Sequence, residues 1–391
     1  MNWSLNINNF TAQDRRKIAD FILDENNRWT QDKRVQEYEQ AMAKYIGCKY
    51  AVFVSSGSAA NTLLSYYLAD KMKDEPKRNI VVLPAVTWQT SCSPWIRVGF
   101  RPQFLDIDFS DFSIDKEKLE EFLIKNHDRV ACIFPTSLIG YVPDMAFYKK
   151  IAKKYNVNVF FDNCENTLGE FNGKNVSSFF TSTTSTYFGH QLQSIEGGFI
   201  FTNDDEEYKY FLMNRNHGMT RSLDVYKMDK TKFLNKNVNP LFDFAFLGNN
   251  FRNTDVNAFI GLLDLKRIQK YKKDRISLYK SFYEALDANK FFIPKTKTDR
   301  NDVAFCLPII LKNHDKNTLN KIIDYCQQNK IEYRPIISGF LGYQTCYKDF
   351  FYSGDLYDNA KYVHEYGIYI GLHSGLKKKQ IVDFVKVINK I

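Results

Sequence analysis

Short apolar runs alternate with longer amphipathic segments through the first half of the chain, and this alternation predicts the fold class. YAVFV and VACIFP are typical of buried strands. DKEKLEEFLIKN and MAFYKKIAKKY carry apolar residues at helical spacing. Helices between short apolar strands predict a largely parallel sheet covered on both faces. The predicted strands cover residues 50–54, 79–84, 101–108, 130–135 and 156–162.

The pattern changes after about residue 255. One long helix, or two in series, is predicted from VNAFIG to YEAL, followed by a strand at 302–311. The helix TLNKIIDYCQQN, the strand IEYRPI and a final helix in KKKQIVDFVKVINKI complete the chain. This mixed order predicts a second, smaller α/β module. We place the boundary so that residues 1–265 form a large domain and residues 266–391 a small one.

Composition narrows the class of protein. The chain has 391 residues, of which 44% are hydrophobic and 25% are charged, so it has enough apolar surface for two or three folded units and is not disordered. No apolar run reaches the ~18 residues that a membrane span needs. The first residues lack the apolar core of a signal peptide. We therefore expect a cytoplasmic protein without a membrane partner.

Charge and cysteine content restrict the partners. The net charge is +9, but no Arg/Lys cluster is interleaved with aromatic residues, so we expect anionic small molecules rather than nucleic acid. The seven cysteines are scattered and form no CxxC pair. Their spacing matches no zinc or iron–sulfur site, and it fits a reducing compartment. The sequence predicts no metal site.

One polar element whose residues could bind a ligand directly follows the first predicted strand. SSGSAAN opens a helix there, and small residues at a helix N-terminus let backbone amides approach a phosphate. The alternative is a plain helix cap. The candidate phosphate ligands are Ser56, Gly57, Ser58 and Ala59.

Three further elements carry candidate groups. Asp162 ends an apolar strand, where a carboxylate could pair with a protonated ring nitrogen or simply cap the next turn. His190 precedes EGG and a strand, and a structural role is its alternative. GNNFR precedes a helix that Thr254 could cap.

The order and spacing of these elements resemble the sugar aminotransferase family of pyridoxal-phosphate enzymes, known as DegT/DnrJ/EryC1/StrS. The resemblance runs from about residue 28 to the C-terminus. It implies the α/β aspartate aminotransferase-like fold (fold type I), with a large, mostly parallel sheet domain and a small C-terminal α/β domain. It also implies a homodimer whose active site is shared across the interface.

The resemblance implies roles for individual residues. Residues 56–59 and Ser185 would bind the cofactor phosphate, and Trp88 would stack on the cofactor ring. Asp162 would pair with the ring nitrogen, and Glu165 would lie near a cofactor oxygen or water. Asn250 would reach the phosphate of the neighbouring subunit. GLHSGL resembles a C-terminal family motif in which Ser374 replaces proline.

The informative departure is His190, because aminotransferases of this family have lysine there to tether the cofactor covalently. Histidine at this position marks the branch of sugar 3-dehydratases, in which it acts as base and then acid. One kind adds an iron–sulfur cluster bound by cysteines shortly after the histidine. No cysteine lies between Cys164 and Cys306, which disfavours that kind. The other kind uses only pyridoxal or pyridoxamine 5′-phosphate and L-glutamate.

The implied reaction removes the C3 hydroxyl of a nucleotide-linked 4-keto-6-deoxyhexose, with GDP-4-keto-6-deoxymannose favoured, and releases ammonia. The product would enter a bacterial surface polysaccharide such as the lipopolysaccharide O-antigen. A 4-aminotransferase without the usual lysine and a non-catalytic binding paralogue remain alternatives. Candidates for substrate contact are Arg215, His217, Arg221, Arg252 and His373.

Overall fold

The computed structural model describes residues 3–294, 297–351 and 356–391. Its strands are β1 Tyr50–Val54, β2 Ile80–Pro84, β3 Arg101–Leu105, β4 Val130–Ile133, β5 Asn158–Val159, β6 Phe161–Asp162, β7 Glu170–Phe171, β8 Lys174–Asn175, β9 Ser182–Ser185, β10 Gly198–Thr202, β11 Arg300–Asn301, β12 Cys306–Ile310, β13 Tyr333–Pro335 and β14 Gly367–Gly371. Its α-helices are α1 Ala12–Leu23, α2 Lys33–Ile46, α3 Gly57–Met72, α4 Gln89–Arg97, α5 Lys116–Asn126, α6 Met145–Tyr155, α7 Asp205–Asn214, α8 Ser222–Val225, α9 Asp255–Leu265, α10 Ile268–Ala285, α11 Lys316–Gln328, α12 Asp358–Tyr366 and α13 Lys378–Ile388.

The large sheet consists of two adjoining halves. Strands β3, β2, β4 and β5 lie side by side in that order and are all parallel. Strands β6, β9, β10 and β1 follow, with β10 antiparallel to both of its neighbours. The Phe160 amide bonds to the Ile133 carbonyl, and a parallel bridge joins Thr136 to Asp162, so the chain links the halves between β5 and β6. The mostly parallel sheet is confirmed.

Side chains from this sheet enter cores on both faces, as the continuous apolar strands predicted. Val52 and Val54 of β1 belong to one core, whereas Ala51 and Phe53 belong to the opposite one. Successive side chains of a strand point to opposite faces, so an apolar strand is stable only when both faces are covered. The covered sheet leaves its strand ends as the place where loops can form a site.

The C-terminal part contains an antiparallel sheet in the order β12, β14, β13. Helices α10, α11 and α13 contribute buried residues to its core, among them Phe282, Ile322 and Phe384. The predicted helix pair is α9 and α10, whereas α12 and β14 were not predicted. Trp3 lies in the same core and forms a parallel bridge with Ile331. The proposed division at residue 265 stays a prediction.

Within the described ranges, none of the helices combines the length and the apolar character that a membrane span requires.

Candidate active site

Asp162 lies at the carboxyl end of β6 and is almost fully buried. Its Oδ2 accepts hydrogen bonds from Asn61 Nδ2 at 2.8 Å and from Ser91 Oγ at 2.7 Å. Its Oδ1 accepts one from the Cys164 amide at 3.0 Å. In the described part of the chain, no cationic side chain lies within ion-pair distance of this carboxylate. A buried carboxylate with hydrogen bonds but no cation is suited to a positively charged ligand group.

The N-terminus of α3 lies beside the end of β9. Ser56 caps the helix, because its hydroxyl accepts the Ala59 amide at 3.0 Å. The cap interpretation of this element is therefore confirmed for Ser56. The amides of Gly57 and Ser58 have no hydrogen-bond partner among the described residues. A β-carbon on Gly57 would come within 2.9 Å of Ser185 Cβ, so only glycine allows this approach.

Gly198 explains part of the EGG motif. A β-carbon there would lie 2.4 Å from the Ser56 carbonyl carbon and 2.5 Å from the Gly57 nitrogen. The start of β10 therefore packs directly against the turn that opens α3. The free amides and the Ser185 hydroxyl lie together at this turn, and they form a place for a phosphate group.

His190 lies in the connection of residues 186–197 between β9 and β10, here called the hairpin, whose two arms are joined by bonds such as Phe188 amide to Ile195 carbonyl at 3.0 Å. Its Nδ1 lies 2.7 Å from the Cys164 carbonyl oxygen, two residues after Asp162. The Phe305 ring packs beside the imidazole, with 5.3 Å between ring centroids. Burial lowers the pKa of His190 to about 4. At neutral pH the imidazole is therefore uncharged and able to accept a proton.

Glu165 provides a second titratable group near Asp162. Its Oε2 accepts the Ile139 amide at 2.8 Å, and Ile139 itself has a left-handed backbone with φ of 60°. Burial raises the pKa of Glu165 to about 8, and the charge of Asp162 adds to the rise. At neutral pH this carboxyl group is mostly protonated and can donate as well as accept.

Trp88 precedes α4, the helix that carries Ser91. Its side chain is 58% exposed, in contrast to the fully buried Trp95. An exposed indole three residues before a ligand of Asp162 offers a flat apolar surface at the edge of the site. Trp88 therefore does not belong to the hydrophobic core.

The described residues fit pyridoxal phosphate. Asp162 provides a buried acceptor without a cation, the start of α3 provides unpaired amides, and Trp88 provides an open aromatic face. Lys174, the nearest lysine before residue 190 in the sequence, lies in β8, where it lines a surface cavity of about 800 Å³ together with Lys44 and Lys149. It therefore does not take the place of a tethering lysine at residue 190.

Arg215 was expected to contact substrate, but the structure gives it a structural role instead. It is 1% exposed and forms an ion pair with the buried Glu39. It also donates to the Phe53 carbonyl at 2.8 Å and to the Tyr226 hydroxyl at 2.9 Å. A guanidinium with these partners is bound within the protein and cannot reach a ligand.

The other candidates lie in different surroundings. Arg252 is exposed and donates from Nε to Asn250 Oδ1 at 3.0 Å. The His217 amide bonds to the Asn249 carbonyl, which places this histidine beside the same segment. Arg221 lies over the Phe242 ring at 5.1 Å. His373 is buried, neither ring nitrogen has a hydrogen-bond partner among the described residues, and burial lowers its pKa to about 4.

The residues that form hydrogen bonds to the predicted site residues were not identified from the sequence. Asn61 and Ser91 bind Asp162, and Thr183 binds Asn61 through a 2.6 Å bond. A polar Asn61 among apolar residues of α3 was a usable signal. The contact between Phe305 and His190 was not predictable, because it joins segments 115 residues apart in the chain.

Comparisons with known proteins show what the whole chain is similar to. GDP-4-keto-6-deoxy-D-mannose 3-dehydratase of Yersinia pseudotuberculosis is 30% identical over 94% of both chains. The solved structure of the Escherichia coli GDP-4-keto-6-deoxy-D-mannose-3-dehydratase with bound hydrated PLP matches 99% of both chains, with a TM-score of 0.89 and 27% identity. Another structure of a GDP-4-keto-6-deoxymannose-3-dehydratase, with a trapped PLP-glutamate geminal diamine, matches 99% of this chain and 100% of that one, with a TM-score of 0.90 and 27% identity.

The model of one protein family matches almost the whole chain, from residue 12 to residue 389. That match covers the α3 turn, Asp162, Ser185 and the hairpin of His190. The fold type expected from the resemblance is also that of the solved structures. The chain belongs to the DegT/DnrJ/EryC1/StrS aminotransferase family.

Proposed function

We propose that this protein is a pyridoxal-phosphate-dependent 3-dehydratase of a nucleotide-linked 4-keto-6-deoxyhexose, with L-glutamate as amino donor. The observation that carries the proposal is His190. The family resemblance assigns it the position of the aminotransferase lysine, and its imidazole, with a lowered pKa, lies beside the loop that follows Asp162. Two relatives that match over nearly their full length carry the name of such a dehydratase.

The cofactor supplies an amino group for the sugar ketone and a ring that accepts electrons. Asp162 keeps the ring nitrogen protonated from its buried position. Ser185 and the amides of Gly57 and Ser58 hold the phosphate, and Trp88 covers the ring. Noncovalent contacts of this kind are needed because residue 190 provides no amine.

His190 transfers the proton during elimination of the C3 hydroxyl. Its Nδ1 donates to the Cys164 carbonyl, so its Nε2 carries the free lone pair. Nε2 removes a proton as a base, and the imidazolium then protonates the departing C3 hydroxyl. In each turnover, one glutamate and one 4-keto sugar are converted to one 2-oxoglutarate, one ammonia and one 3-deoxy-4-keto sugar.

Further parts of the proposal rest on the family resemblance. GDP-4-keto-6-deoxymannose is the favoured substrate, and the related dehydratases support this choice by their names. Asn250 and Arg252 would serve the site of a second copy in a homodimer. The protein would act in the cytoplasm, and its product would enter a surface polysaccharide. His217, Arg221 and His373 stay candidates for substrate contact.

The deciding experiment incubates the purified protein with pyridoxal 5′-phosphate, L-glutamate and GDP-4-keto-6-deoxymannose. Mass spectrometry of the sugar nucleotide and an ammonia assay follow. We expect a sugar lighter by one oxygen, with equal amounts of ammonia and 2-oxoglutarate. His190→Asn is the matched variant and should lose ammonia release.

The alternatives give different outcomes. An amino sugar without ammonia would show aminotransfer and overturn the dehydratase assignment. Cofactor amination by glutamate with an unchanged sugar would overturn only the choice of substrate. An unchanged cofactor spectrum would identify a non-catalytic binding protein.

A further inference from the structure

The hairpin that carries His190 is held from outside by residues 3–10, here called the N-terminal strap. Asn6 donates from Nδ2 to the Phe188 carbonyl, two residues before His190. The buried Gln193 donates from Nε2 to the Ile7 carbonyl at 3.1 Å, three residues after His190. The strap therefore contacts the hairpin on both sides of the imidazole-bearing residue.

The other end of the strap belongs to the C-terminal sheet. Trp3 is fully buried, and its indole donates to the Gly371 carbonyl at 2.9 Å. Its amide and carbonyl bond to Lys330 and Glu332 at 3.0 and 2.8 Å. Burying a whole indole with its N–H satisfied fixes this end firmly. The strap thus connects β14 to the hairpin of His190.

The hairpin needs such an external restraint. Tyr187, Phe188 and Ile195 are all exposed by more than a third, so little apolar burial holds the tip in place. Ile195 also has a left-handed backbone with φ of 69°, which is costly for a β-branched residue. A strained conformation persists only when surrounding contacts impose it.

The C-terminal part reaches the same hairpin from a second side. Gln191 donates from Nε2 to the Val303 carbonyl at 2.6 Å, and the Phe305 ring faces His190. Arg275 of α10 fixes that segment, because its Nη1 donates to the Ala304 and Phe305 carbonyls, each at 3.0 Å. The strap and residues 303–305 both join the hairpin to the C-terminal part, which therefore supports the hairpin from two sides.

We propose that the N-terminal strap positions His190 for proton transfer and that Asn6 is its main positioning residue. The strap sets where the imidazole lies by holding the Phe188 carbonyl to the C-terminal sheet. This inference deepens the proposed function and rests on it for the role of His190. The placement of the hairpin can nevertheless be measured without turnover.

The test compares Asn6→Asp with Asn8→Asp. The first replaces the donor to the Phe188 carbonyl by an oxygen of the same size, so the hydrogen bond becomes a repulsion. The second makes the same change at an exposed strap residue whose Oδ1 bonds only the Phe10 amide, a bond that aspartate retains. Asn6→Ala serves if Asn6→Asp fails to fold.

The first readout is the NMR spectrum of histidine labelled with ¹³C, recorded with and without pyridoxal 5′-phosphate. The chain has six histidines, and His190→Asn identifies the signal of His190. We expect Asn6→Asp to shift or broaden that signal and to leave those of His127 and His314 in place. Asn8→Asp should leave the signal of His190 unchanged.

The second readout is kinetic. Asn6→Asp should lower kcat about tenfold while the KM for glutamate and the Kd of the cofactor change less than about twofold, because only proton-transfer geometry is disturbed. An unchanged His190 signal in Asn6→Asp, or equal losses in Asn8→Asp, would overturn the proposal. A parallel fall of kcat, cofactor affinity and thermal midpoint would also overturn it. If the wild type turns over no sugar, the spectrum still decides about the strap, and only the proposed function fails.

Discussion

The Nδ1 atom of His190 lies 2.7 Å from the carbonyl oxygen of Cys164, on the loop that follows Asp162. A carbonyl oxygen can only accept, so Nδ1 carries the hydrogen and Nε2 has the lone pair. The backbone of the loop that follows Asp162 therefore selects the tautomer of His190. One hydrogen bond thus joins His190 to a backbone carbonyl 26 residues earlier in the chain, two residues after Asp162.

The pH dependence of stability follows from the burial of His190. Burial lowers its pKa from 6.5 to about 4 in the folded protein. Between these values the unfolded chain binds the extra proton, so the free energy of unfolding falls as the pH drops from 6.5 to 4. Urea unfolding at pH 7 and pH 5 should show a larger loss for the wild type than for His190→Asn. Equal losses of unfolding free energy in the wild type and in His190→Asn would mean that the His190 imidazole is not shielded from water. His373 has the same direction of shift and is present in both proteins, so it cancels.

Glu165 should act on stability in the opposite direction. Burial raises its pKa from 4.5 to about 8, so the folded protein holds a proton that the unfolded chain releases. Stability is therefore lost as the pH rises from 4.5 to 8. Glu165→Gln removes this loss but keeps an acceptor for the Ile139 amide. Thermal melting should show similar midpoints at pH 5 and a higher midpoint for the variant at pH 8.5. A constant difference at both pH values contradicts the raised pKa.

Asp162→Asn should weaken cofactor binding by about 10²- to 10⁴-fold, because removing one partner of a buried charge pair costs about 3–5 kcal/mol. Absorbance titration with pyridoxal 5′-phosphate measures the affinity. Ser91→Ala is the comparison, since it removes one donor to the carboxylate and leaves its charge. We expect it to lose about tenfold, as for a single hydrogen bond to a charged group at about 1.5 kcal/mol. Equal losses in both variants would show that geometry rather than charge holds the ligand.

Gly57→Ala tests the phosphate site. The new methyl group would lie 2.8 Å from Cys164 Sγ and 2.9 Å from Ser185 Cβ, so the start of α3 must move away from β9. Overpacking of this size costs about 1–3 kcal/mol, which corresponds to roughly tenfold or more in affinity. The affinity for pyridoxal 5′-phosphate should fall, whereas that for pyridoxal, which lacks phosphate, should not. Loss of both would indicate a general disturbance of the site.

Variants of the Arg215–Glu39 ion pair test whether Arg215 stabilises the fold or contacts substrate. Arg215→Met leaves Glu39 buried without its cation, which costs about 3–5 kcal/mol of folding stability. The double variant Glu39→Met with Arg215→Met should recover much of that loss, because neither charge remains. Urea unfolding measures both. If Arg215→Met keeps wild-type stability and loses only substrate affinity, the arginine belongs to the site after all.

The fold was predictable where local pattern and tertiary structure agree. The apolar run at residues 50–54 is β1 with the same bounds, and MAFYKKIAKKY is α6 with the same bounds. The 156–162 run was predicted as one strand, but it divides into β5 and β6 where the chain passes between the two halves of the sheet. No local pattern reveals such a division, because it depends on which neighbours the strand pairs with.

The site was predictable where a motif carries its own chemistry. The α3 turn, Asp162 and Ser185 come together as expected from their order in the chain. Arg215 was not interpretable in the same way, because its partner Glu39 lies 176 residues earlier and enters the core from α2. Charge alone does not tell whether an arginine faces a ligand or a buried carboxylate. Only the packing of α2 against the sheet decides.

The bond between the Trp3 indole and the Gly371 carbonyl joins residues 368 positions apart. A polypeptide emerging from the ribosome cannot form it until β14 has been synthesised, long after β1 to β10. The strap therefore closes late, and the hairpin of His190 acquires this support only then. A nascent chain can complete much of the large sheet before it gains a fully placed imidazole, so catalytic competence matures after the core of the enzyme has folded.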